Sequence, residues 1–225
     1  MDHLEKELKK EFQLERMILF SDAVFAIAIT LLVIEIRIPE IKGDVTDKLL
    51  TNALVTLMPK FIGFLISFML IGLYWTVHHR LFGYVINYNQ KLLWLNLCFL
   101  FFIILMPFST GFYGEYTGPD LVKNQLKVPM TFYVLNFFFA GLCNFIIWLY
   151  ITNPKNKLMY TSVLTPEIRL ARARALIVPL IFLAMLPVAY LINVGVAVYI
   201  PVLIPLVMKI VKRFYKEHPE TVSKH

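Results

Sequence analysis

Residues 16–37 read RMILFSDAVFAIAITLLVIEIR. From Ala23 to Ile34 the stretch carries no charge, and Thr30 is its one hydroxyl. At about 1.5 Å of rise per residue, a helix of this length matches a hydrocarbon core of ~30 Å. Yet the segment opens on Arg16 and holds Asp22 one to two turns inside. A carboxylate carried into the bilayer costs about 2.5–3.5 kcal/mol on insertion scales. Asp22 therefore calls for a partner. Six residues separate it from Arg16, which is not the i, i+4 spacing that brings two side chains together on one helical face. The partner is expected on another helix, or as Arg16 of a neighbouring subunit.

Working outward from this segment, the same pattern recurs. A short polar loop, EIKGDVTDK, leads to a second predicted span at 52–78, where Lys60 has a stem long enough to snorkel to the interface. A third span is predicted at 92–112 and a fourth at 129–151. The run 175–211 is uncharged up to Lys209 and would make a helix of about 55 Å, too long for one crossing. INVG at 192–195 is the expected break, giving two spans of roughly 18 residues each. The fold class is thus all-α, a polytopic membrane protein with six transmembrane helices. Residues 1–15, with Leu4, Leu8 and Phe12 at every fourth position, read as an amphipathic N-terminal helix at the cytoplasmic surface. Residues 16–211 form the membrane domain, and 212–225 a basic cytoplasmic tail.

Composition agrees. Hydrophobic residues make up 59% of the chain and charged ones 16%, with a mean hydropathy of +0.69. The net charge of +7 gives no nucleic-acid signal, because the basic residues lie between and after the apolar runs. The first apolar run is too long for a signal-peptide core, and no small-residue cleavage site follows it, so it is expected to be retained. Cys98 and Cys143 lie in apolar runs and read as buried free thiols. With the N-terminus inside, sixteen Lys and Arg fall on the cytoplasmic side and six on the outer side. Both termini are therefore expected in the cytoplasm, with the protein in the cell membrane.

The polar residues inside the spans narrow the function. YWTVHH, closing the second span, lies at the same membrane level as Asp22, so an Asp22 bond to His78 or His79 is geometrically reasonable. The other reading of Trp75, His78 and His79 is an interfacial belt of amphipathic side chains. Ala23, Ile27, Thr30, Leu31 and Ile34 fall on one helical stripe. On periodicity alone that stripe serves as well for packing or lipid contact as for lining a pore, and Ala26 and Ala28 on the other side permit close helix approach. TGFYG at 110–114 is a scrambled version of a potassium-filter sequence, without a pore helix before it, and is expected to be a loop. No HExxH, GxSxG or phosphate-binding glycine loop occurs, so no enzyme, cofactor or resident metal is expected.

The pattern Arg-x-x-x-Phe-Ser-Asp, here Arg16, Phe20, Ser21 and Asp22 at the start of the first of six spans, resembles the transmembrane protein 175 family of potassium channels, best known from lysosomes. WTVHHRLF (75–82) is similar to the family's second-helix ending, and Asn96 with PFST (107–110) to its third helix. The resemblance implies a potassium-permeable channel with modest preference over sodium, its pore lined by the first helix. It implies a hydrophobic constriction at Ile27, Leu31 and Ile34, a potassium-preferring hydroxyl at Thr30 where ions would pass transiently, and an anchor for the pore helix built from Arg16, Phe20, Ser21 and Asp22, with Trp75 and His78. Animal members of the family carry two six-helix repeats and are dimers. The single repeat here implies the bacterial form, a homotetramer in the lipid bilayer that binds potassium ions and no nucleic acid. The competing reading is a secondary cation or proton-coupled transporter with Asp22 and the histidines as a relay. Against it stand the absence of internal repeats and of midplane helix breaks.

Overall fold

The structure, a computed structural model, describes residues 2–37, 44–116, 123–159 and 165–217. The connecting segments at 38–43, 117–122 and 160–164, and residues 218–225 of the expected tail, lie outside the described residues, as does the side chain of Leu4. Among the described residues, six helical segments are long and apolar enough to cross a membrane.

Helix α1 (Asp2–Ile34) is continuous, so the expected surface helix and the first span are one rod. Its first turns keep Leu8 and Phe12 on the outside. Helix α2 (Asp47–Phe82) starts at the cap Thr46, whose hydroxyl accepts from the Leu49 amide, and runs through Pro59 without ending. Helix α3 (Gln90–Glu115) starts at Asn89 in the same way and carries Pro107 inside it. Its last turns contain TGFYG, so the expected loop at 110–114 is helical. Gly111 leaves room there for the Glu35 side chain just past the end of α1, whose carboxylate a Cβ would displace.

Helix α4 (Val128–Ile151) is followed by a segment tied back by the Ile86 amide, which donates to Leu158 O at 2.9 Å. The long apolar run then divides at Ala184 and again at Ile192–Asn193, while Pro179 stays inside a helix. Helix α5 (Pro166–Leu183) ends where the ring of Pro187 would meet the Leu183 carbonyl, four residues back. Helix α6 (Met185–Leu191) completes the fifth span. Asn193, with extended backbone, accepts from the Gly195 amide at 2.6 Å and caps the short helix α7 (Val194–Ala197). That local bond competes with helix continuation, and the INVG break falls where expected. A 3₁₀ turn at Ile200–Leu203 leads into α8 (Ile204–Glu217).

The core lies between α3 and α4, which pack on each other, while α1 and α2 flank α3 and α5 flanks α4. Half of the α4 membrane window is buried inside the chain, against 17% for α2 and 11% for the last span. α2 and the last span therefore turn their apolar surface outward. Lys60 does more than snorkel: its ammonium meets Glu115 at 2.6 Å and joins α2 to the end of α3. Both thiols are free, but Cys98 is exposed and Cys143 only half-buried, not buried as expected.

Candidate functional site: the outward face of the first helix and its anchor

Helix α1 divides cleanly into two faces. Met17, Ser21, Val24, Phe25, Ala28 and Leu32 are buried against the rest of the chain. Their spacing of three and four residues is the inward stripe of an amphipathic helix. The opposite stripe, Ala23, Ile27, Thr30, Leu31 and Ile34, is exposed along its length. Ile27 is 57% exposed and Ile34 66%, high values for isoleucines in an apolar helix. Phe20, seven residues before Ile27, shares that outward face at 54%. The Thr30 hydroxyl donates to Ile27 O at 2.9 Å. A hydroxyl has one proton to give, so this bond leaves the Thr30 oxygen as an acceptor toward the outside.

Polar bonds near the expected cytoplasmic end hold the other face. Ser21 is fully buried, and its hydroxyl donates to Met17 O at 2.9 Å. It must therefore accept from outside α1, and Asn96 Nδ2 of α3 donates to it at 2.8 Å. The other end of that amide, Asn96 Oδ1, lies 2.9 Å from His78 Nε2. An oxygen acceptor there requires the proton on His78 Nε2. The imidazole is held between Phe82, at 4.3 Å between ring centres, and Phe99, at 5.7 Å. Three helices thus meet through one chain of bonds, Ser21–Asn96–His78, inside an aromatic box completed by Phe25.

Asp22 takes a different partner. Trp75 Nε1 donates to Asp22 Oδ1 at 2.9 Å. The partner lies on another helix, as the charge cost demanded, but it is the indole and not His78 or His79. Ser21 and Asp22 are neighbours on α1, about 100° apart around the axis, so one turns to α3 and the other to α2. Arg16 stays exposed, with its guanidinium 5.9 Å from the Phe12 ring centre on its own helix, and no ion pair joins it to Asp22. The motif residues therefore separate: Ser21 and Asp22 bond to neighbouring helices, while Phe20 and Arg16 face outward.

The sequence reading gave Asn96 no such bridging role. Its signal was a lone amide in the apolar run LLWLNLCFLFF. A second buried network was also overlooked: Thr110 donates to Ser67 at 2.8 Å, Ser67 lies 3.2 Å from the Tyr133 hydroxyl, and Asn136 donates to Ser109 at 3.1 Å. Among the described residues, no group of three His, Cys, Asp or Glu side chains is placed to hold a metal ion.

The family described as endosomal/lysosomal potassium channel TMEM175 matches residues 16–107, the stretch that contains α1 from Arg16 onward, α2 and Asn96. A potassium channel of Streptomyces collinus is 39% identical over 45% of this chain and 48% of its own length. The endosomal/lysosomal proton channel TMEM175 of Gallus gallus is 32% identical over 63% of this chain and 28% of its own. The chain spans about half the length of the bacterial relative it matches. The crystal structure of a lysosomal potassium-selective channel TMEM175 homologue from Chamaesiphon minutus superposes with a TM-score of 0.70 at 26% identity, covering 88% of this chain and 97% of that one.

Proposed function

We propose, from the match of residues 16–107 to the TMEM175 family, that this chain is one subunit of a homotetrameric, potassium-permeable cation channel of the cell membrane. The observation that carries the reading is the two-faced α1. Its inner face is fastened by Ser21 and Asp22, while Ile27, Leu31 and Ile34 are left exposed, with nothing among the described residues to cover them.

One helix cannot enclose a pathway. Four copies of α1 around an axis would turn the exposed stripe inward and stack rings of Ile27, Leu31 and Ile34 at intervals of roughly 4.5–6 Å. A narrow apolar neck of this kind closes by dewetting and conducts when it widens. Four Thr30 oxygens, each with its proton already given to Ile27 O, would present acceptors to a passing cation. Such a sparse ring replaces only part of a hydration shell, so the preference for potassium over sodium is modest. The anchor sets the rotation of α1 and hence which side chains face the axis. Both termini would be cytoplasmic.

The test is flux from liposomes holding the purified chain. Rapid, non-saturating dissipation of a potassium gradient supports the channel. Saturating flux would indicate a transporter and absent flux a scaffold, and either would refute the reading. Because the Gallus relative is named a proton channel, the same vesicles should be assayed under a pH gradient.

A further inference from the structure

A cavity of about 370 Å³ opens between α2, α4, α5 and α8, away from the outward face of α1. Its wall is mainly apolar, with Val77, Val178 and Met208 among the lining residues. Besides Tyr74 and Thr76, whose hydroxyls donate to Phe137 O and Leu73 O, four polar side chains interrupt that wall: Arg80, Asn144, Trp148 and Arg174. Asn144 is 3% exposed and Trp148 1%. Among the described residues, Asn144 Oδ1, Trp148 Nε1 and Arg174 Nε are buried without a hydrogen-bond partner. Unpaired buried groups are costly, and in a membrane there is no bulk water to relieve them. Three such groups around one cavity point to a ligand.

Its chemistry follows from the wall. Two guanidiniums and an indole N–H donate, and forked guanidiniums suit phosphate oxygens. Asn144 Oδ1 accepts, which asks for a hydroxyl on the ligand. The apolar remainder asks for hydrocarbon. Depth agrees: Arg80 lies two residues from the end of α2 and Trp148 three from the end of α4, both at the end expected to face the cytoplasm. Lys209 and Lys212 lie exposed on α8 just past Met208 and add positive potential. Basic pockets between helices at this level hold anionic head groups.

We propose that this cavity binds the phosphate–glycerol end of a hydroxyl-bearing anionic phospholipid of the cytoplasmic leaflet, with its chains leaving through the open side into the bilayer. This goes beyond the channel reading and does not depend on it.

The test uses the purified full-length chain in mild detergent, with added phosphatidylglycerol, phosphatidylcholine or inorganic phosphate. Phosphatidylglycerol should raise the melting temperature and survive as an adduct in native mass spectrometry, while phosphatidylcholine and inorganic phosphate do neither. An Arg80→Gln/Arg174→Gln variant should bind phosphatidylglycerol about tenfold or more weakly. Should that variant not fold, quenching of wild-type tryptophan fluorescence decides: brominated phosphatidylglycerol should quench severalfold more than brominated phosphatidylcholine. Equal effects of the two lipids, unchanged binding by a folded variant, or equal stabilisation by inorganic phosphate would each overturn the proposal.

Discussion

Asn96 on α3 donates its amide hydrogen to Ser21 on α1 across 2.8 Å, and both residues are buried. The bond fixes the rotation of α1, since Ser21 and Ile27 stand on opposite faces of the helix. Asn96 also serves His78, so its loss strands two buried partners at once. Asn96→Ala should cost about 1–3 kcal/mol and lower the melting temperature in detergent. Ser21→Ala should cost less. If the two variants melt together with the wild type, the anchor has no energetic weight.

The Asp22–Trp75 bond predicts a ranking. Asp22→Asn keeps an oxygen acceptor for the indole, whereas Asp22→Ala removes it. Stability measured by thermal melting should therefore fall in the order wild type, Asp22→Asn, Asp22→Ala, with Trp75→Phe near the last. An Asp22→Asn variant as unstable as Asp22→Ala would show that the charge matters and not the hydrogen bond.

Gly141 lies where α4 meets α5, and a Cβ there would stand 2.6 Å from Pro179 Cβ and 3.0 Å from the Tyr74 hydroxyl. Pro179 belongs to a rigid ring and cannot swing away. Gly141→Ala should destabilise by about 1–3 kcal/mol, read as a lower melting temperature. A neutral result would mean that the two helices separate more easily than their packing suggests.

Thr30 offers its oxygen outward while its proton is spent on Ile27 O. Thr30→Ala should lower the potassium-to-sodium permeability ratio and leave the folded state intact, because the residue touches nothing in the core. The reversal potential under bi-ionic conditions measures this directly. No shift would remove Thr30 from any role in ion preference.

The six spans were legible because lipid demands long apolar helices, and the split of the last run was legible from its excess length and from INVG, where Asn193 caps the next helix. The outward stripe of α1 was legible as a period, but not as an exposed face. TGFYG read as a loop because it is a scrambled filter sequence with no pore helix before it. The segment instead continues α3 to Glu115, and Gly111 lets the Glu35 side chain come close to it, a contact across the sequence that no local pattern encodes. The partner of Asp22 was open for the same reason. Trp75 and His78 are one turn apart, and only the packing of α2 against both α1 and α3 decides which of them meets the carboxylate.

The central claim is that the exposed face of α1 surrounds the ion path. Ile27→Cys, made with Cys98 and Cys143 replaced by alanine, tests it most directly through block by cadmium ions, which thiolates grouped around an axis would bind. The account predicts that current through Ile27→Cys is blocked by cadmium, while Met69→Cys, on the outer face of α2, is unaffected. Full cadmium resistance of a conducting Ile27→Cys channel would contradict it.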